Sequence, residues 1–170
     1  MKSMSIEFFI ARSWRYVSLA ALVFFLLWTY TGMPDAVAVH FDNQGVANGF
    51  LPKTQVFYVI MALVLVFNIL PLMLIKPINQ LPDAAISILP IKKEWQQNRE
   101  EFNESISNWL IVLPAIVNTI MLFSIKILGK LNDVQYHSTF SDYNWLAIFI
   151  LVLFVIWIFY LPVKLLFTKP

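Results

Sequence analysis

The sequence has no cysteine, only two histidines and four glycines in 170 residues, and charged side chains make up just 13% of it. Without cysteine there is no disulfide, no thiolate metal site and no cysteine nucleophile, whichever compartment the loops face. The net charge of +2 is small and the basic residues are dispersed, so no nucleic-acid surface is present. There is no close ligand pair of the His-x-x-x-His kind and no phosphate-cradling glycine loop. No internal repeat and no Gly-x-x-x-Gly pairing motif is visible either.

What the chain does have is apolar length. Apolar residues make up 59% of it and aromatics 16%, far above a soluble composition. Four runs, 16–31, 56–75, 107–128 and 145–167, approach the ~20 residues needed to cross a bilayer. The first is the shortest and borrows its flanks. The composition predicts an all-α integral membrane protein, one transmembrane domain over 1–170, folded as an antiparallel four-helix bundle with sequential neighbours side by side. Loops 32–55 and 129–144 lie on one side and the connection 76–106 on the other. The connections are too short for a second soluble domain, or for a pocket of ~300 Å³ outside the membrane.

Lys and Arg set the orientation. With a cytoplasmic N-terminus, nine of them (Lys2, Arg12, Arg15, Lys76, Lys92, Lys93, Arg99, Lys164 and Lys169) fall inside, and only Lys53, Lys126 and Lys130 fall outside. Both termini are then cytoplasmic, and the expected location is the bacterial inner membrane. Trp14, Tyr16, Trp28, Tyr30, Trp109, Tyr143 and Trp145 sit near span ends, as interfacial aromatics do. Ala36-Val37-Ala38 imitates a signal cleavage site, but it lies beyond Pro34 and Asp35, too far past the apolar run; an uncleaved anchor is expected.

Residues 34–54, PDAVAVHFDNQGVANGFLPKT, carry the most specific local signal. Pro34 ends the first helix and 36–42 alternates as a short strand does. Asn43-Gln44-Gly45 and Asn48-Gly49 read as turns. The order Pro34, Asp35, Val39, His40, Gly45, Gly49, Phe50 and then Lys53 resembles the bacterial membrane domain of unknown function that forms the front of SdpI-type immunity proteins. A fainter echo is IKKEWQQNR at 91–99, and together they cover about the first two thirds of the chain. SdpI-type proteins continue with further spanning helices. The resemblance implies a non-enzymatic role in binding a membrane partner or toxin.

His40 has two readings. With Asp42, Asp133, His137 and Asp142 it could offer imidazoles and carboxylates to zinc. The favoured reading is structural, with the imidazole bonded to backbone carbonyls, a hub worth about 1 to 3 kcal/mol if buried. No metal, cofactor or catalytic residue is assigned: neither histidine has a recognisable nucleophile beside it, and the Asp42 to Gly45 segment lacks the ligands of an EF-hand.

Within the spans, Asn68 and Asn118 lie near the bilayer centre, close to Pro71 and Pro114, and are expected to share one polar contact. No charged residue or histidine occupies a span centre, which weighs against ion-coupled transport. The connection begins irregularly, with Pro77, Pro82 and Pro90. It then carries an apolar stripe, Trp95, Phe102, Ile106 and Trp109, opposite Arg99, Glu100 and Glu104. One long helix from about Lys92 to Leu128 is expected, its inner turns offering that stripe as a possible partner face. The fourth span is almost wholly apolar.

These features predict a protein that works by binding in the membrane, its partners being the lipid bilayer and a membrane protein or larger complex, with homo-oligomers possible. An accessory subunit is the alternative and a small transporter a weaker one. Single cysteines at Asn43 or Ser138 should react with an impermeant thiol reagent in intact cells, and cysteines at Gln97 or Thr168 should not. Labelling in the reverse pattern would invert the orientation.

Overall fold

A computed structural model describes residues 6–42, 44–133 and 140–170. Helix α1 (Ile6–Gly32) leads into a hairpin of β1 (Ala36–Phe41) and β2 (Ala47–Pro52), then α2 (Lys53–Asn79). Two short helices, α3 (Asp83–Ser87) and α4 (Lys93–Gln97), precede α5 (Arg99–Leu131), and α6 (Trp145–Phe167) closes the chain. Helices α1, α2, α5 and α6 are long and apolar enough to cross a membrane. Each extends the apolar core of its run into polar flanks, except α6, whose ends match the apolar run. Both ends of the described chain border one crevice, so they share one face of the molecule; the hairpin occupies the other.

Helix α5 is the hub. It buries twelve residues, α1 and α2 four each and α6 one, so the other three pack around it. Here the structure departs from a bundle of sequential neighbours. The broadest packing is between α1 and α5, which run parallel. Trp14 Nε1 donates to Thr119 Oγ1 at 3.1 Å near one end, and Lys126 Nζ lies 4.4 Å from the Phe25 ring centre near the other. Between these, Leu22, Leu26, Val64 and Ile125 form the largest apolar cluster. Small buried residues, Ala11 and Ser18 on α1 and Ala115 on α5, let the backbones approach, as membrane helices require when lipid is as apolar as the side chains.

Two antiparallel contacts fix the remaining spans. The Asn68 amide donates to Asn118 Oδ1 at 2.7 Å and to the Val64 carbonyl at 2.9 Å, and Asn118 Nδ2 donates back to Asn68 Oδ1 at 3.1 Å. Both side chains are buried, Asn118 completely. Between α5 and α6 the Trp109 and Trp157 rings stack at 4.2 Å and 4°. Each indole N–H donates to the other residue's carbonyl, at 2.7 and 2.9 Å.

The long helix expected from Lys92 is broken at Asn98, whose φ of −106° and ψ of 77° separate α4 from α5. Asn98 Oδ1 accepts from the Glu101 N–H, so the residue caps a helix where it would weaken an interior. The break turns α4 back under the bundle. Trp95 and Phe102 are buried against Ile86 and Leu165, with Ile106 packed alongside. Trp95 Nε1 donates to the Thr168 carbonyl at 3.0 Å, and Lys92 Nζ to that of Phe167 at 2.7 Å. The stripe Trp95, Phe102, Ile106 and Trp109 is therefore covered by the chain's own α6 and α3 and is no free partner face. The stretch expected to be irregular also contains α3.

Replacing Asn68 by Leu should destabilise the fold by about 1 to 3 kcal/mol, because it strands the Asn118 amide in the core. Replacing both by Leu should recover most of that loss. Reversible unfolding of the single and double variants in mixed micelles measures the difference; equal losses would mean the pair does not act as a unit.

Candidate functional site

The stretch that stood out in the sequence folds into a hairpin held at its tip, its middle and its base. At the tip, Gly45 takes a φ of 80° that suits glycine. Asp42 Oδ1 accepts from the N–H groups of Gln44 and Val46 at 2.8 and 2.9 Å, an Asx turn that closes the loop. In the middle, His40 stands across from Gly49, and a Cβ on Gly49 would come within 2.8 Å of the His40 Cβ. Asn48-Gly49 is thus strand, not turn: glycine is needed there because the strands approach so closely around the irregular pairing between Ala38 and Phe41. At the base, Lys53 Nζ meets Asp35 Oδ1 at 2.8 Å and the Lys53 N–H donates to the Asp35 carbonyl at 3.0 Å. The Lys53 hydrogen bond and charge hold the exposed Asp35 carboxyl below the usual carboxylate range.

His40 plays a smaller part than the hub expected of it. Its imidazole is exposed, and Nδ1 bonds to the side-chain carbonyl of Asn48 and not to the backbone. The seat of the hairpin is elsewhere. Val37 is fully buried among Met33, Val56, Ile60 and Leu128, where α1, α2 and α5 end. Asn132, just past α5, extends the sheet as a neighbouring strand would. Its Oδ1 accepts from the Ala38 N–H at 2.7 Å and its Nδ2 donates to the Ala38 carbonyl at 3.0 Å. The sequence offers a hint of Asn132 as a helix-terminal asparagine, but its partner is 94 residues away.

The other sequence candidates separate in space. Asn68 and Asn118 pair with each other in the core, remote from the hairpin. Pro34 and Phe50 are exposed, Phe50 by 57%, as are Val39, Leu51 and Val46 elsewhere on the hairpin. Among the described residues no three His, Asp or Glu side chains converge on a metal-sized space. His137 lies outside the described residues. Chemically, then, the hairpin is a stiff, partly apolar ledge on a polar base.

Gly49→Ala should destabilise the hairpin by about 1 to 3 kcal/mol through overpacking. Adding His40→Gly should relieve the clash, whereas adding His40→Ala, which keeps the offending Cβ, should not. His40→Ala alone should cost less than about 1 kcal/mol, since the bond it removes is exposed. Limited proteolysis at 34–54 in the four variants reads all three outcomes.

A family model described as Domain of unknown function (DUF1648) matches residues 17–66. The match takes in the second half of α1, the whole hairpin and the first half of α2, so it coincides with the hairpin and the two helices that carry it. No curated protein and no solved structure matches the chain.

Proposed function

We propose that this is a non-enzymatic multi-spanning protein of the bacterial inner membrane, with both termini cytoplasmic, which acts by binding a membrane protein partner or toxin through its extracytoplasmic hairpin. The observation that carries this reading is the way the hairpin is held. Its tip, middle and base are each fixed, Asn132 and Val37 lock it to three helix ends, and yet it exposes Phe50, Val39 and Val46. A ledge ordered before binding loses little entropy on docking, and exposed aromatic side chains are the usual anchors of an interface. The resemblance to the front of SdpI-type immunity proteins, carried by residues of this hairpin that include Val39 and Phe50, supports the same reading.

A second reading has its own observation. Helix α6 buries only Leu165 and exposes Ile148, Leu151, Ile158 and Phe159 among others. An accessory subunit of a larger complex would cover that surface with protein, whereas the first reading leaves it to lipid.

A photo-crosslinking residue in place of Phe50 should couple the chain to a second membrane protein in native membranes, and one in place of Ile158 should couple only to lipid. Protein adducts from Ile158 with none from Phe50 would favour the subunit. Neither site yielding a protein adduct would overturn both readings.

A further inference from the structure

Between α1, α5 and α6, on the face where the termini lie, two adjoining cavities of about 790 and 290 Å³ share the walls Glu7, Asn108, Ile156 and Tyr160. The larger opens beside Lys164, Lys169 and Pro170, and Glu101 and Glu104 also line it; Lys169 Nζ pairs with Glu94 at 3.2 Å. The smaller runs toward the middle of the spans along Trp14, Ile116, Leu153 and Trp157. Polarity therefore falls along the crevice from the membrane surface inward, in the same sense as in one leaflet of a bilayer.

Asn108 sits where the two chambers meet. It is 5% exposed, and among the described residues neither its amide nitrogen nor its carbonyl oxygen has a hydrogen-bond partner. The neighbouring polar groups are occupied with one another: Glu7 accepts from Tyr160 Oη at 3.0 Å and pairs with Lys164. A buried amide left in this state is costly, and the natural remedy is a ligand that brings an acceptor, a donor or both.

We propose that the crevice binds one glycerophospholipid of the adjacent leaflet. One acyl chain fills the smaller chamber, an ester carbonyl accepts from the Asn108 amide N–H, and the headgroup lies in the larger chamber, whose mouth carries both lysines and carboxylates. The size of the smaller chamber favours a chain over a protein segment: a helix about 10 Å across would fill 290 Å³ in roughly 4 Å of its length, less than one turn. Beyond Glu7 and Asn108 at its mouth the smaller chamber is lined almost wholly by apolar and aromatic side chains, and such a cavity excludes water. This inference concerns the opposite face from the hairpin and stands apart from the partner-binding reading.

The test is native mass spectrometry of the full chain, extracted in mild detergent and incubated with palmitoyl-oleoyl phosphatidylethanolamine or phosphatidylglycerol. Wild type should retain a single phospholipid. Asn108→Leu should retain about tenfold less, the equivalent of ~1.4 kcal/mol, while its unfolding midpoint without lipid stays the same or rises, since an unpaired amide has been removed. Val112→Phe, which narrows the smaller chamber from its wall, should lose the lipid through sterics with Asn108 intact. A wild type that sheds all lipid while still folded overturns the proposal. So does retention by either folded variant equal to that of wild type.

Discussion

The three other spans and the hairpin are each fixed to α5 by a polar contact, and the reason lies in the solvent. In water, apolar side chains on neighbouring helices are driven together; in hydrocarbon they gain little by exchanging lipid for each other, so packing and hydrogen bonds must specify which faces meet. Helix α5 provides such a contact to every neighbour: Asn118 to Asn68 on α2, Thr119 to Trp14 on α1 and Trp109 to Trp157 on α6. At its ends, Arg99 donates to the carbonyls of Asn79 and Leu81, and Asn132 binds β1. The hairpin can be rigid because the helix ends beneath it are themselves held in place.

How legible this was depended on the range of the signal. The four spans could be read because twenty apolar residues admit few alternatives, and the Asn68 and Asn118 depths followed from counting residues along two antiparallel helices. Which helix became the hub could not be read, because α1 and α5 are parallel and joined through some 66 residues. Their pairing rests on Ala11, Ser18 and Ala115, unremarkable in a sequence until their shared surface is known. The apolar stripe at Trp95, Phe102 and Ile106 was periodic as expected, but periodicity identifies a buried face without naming what buries it. Here α6 and α3 bury it, with α4 turned against them by the break at Asn98.

The hairpin gives the same lesson in its glycines. Gly45 and Gly49 look alike as turn formers, yet one accommodates a positive φ and the other a close approach to His40. Of the residues behind the family resemblance, Asp35, His40, Gly45, Gly49 and Lys53 shape the hairpin, whereas Val39 and Phe50 are exposed.

Asn108 stands against this background of satisfied contacts. Ten positions along the same helix, Asn118 is also buried and is fully engaged, so residue type and burial do not explain the difference. What differs is the facing surface. Helix α2 meets Asn118 with a second asparagine, while α1 and α6 face Asn108 with Ala11, Ile156 and a glutamate already held by Tyr160 and Lys164. Asn79 and Asn103, which also have an idle carbonyl oxygen, still donate through their amide nitrogens; Asn108 bonds through neither atom. In a chain that otherwise uses its asparagines as fasteners, one held open beside a cavity graded from polar to apolar is matched by a molecule with the same grading, and the bilayer is made of such molecules.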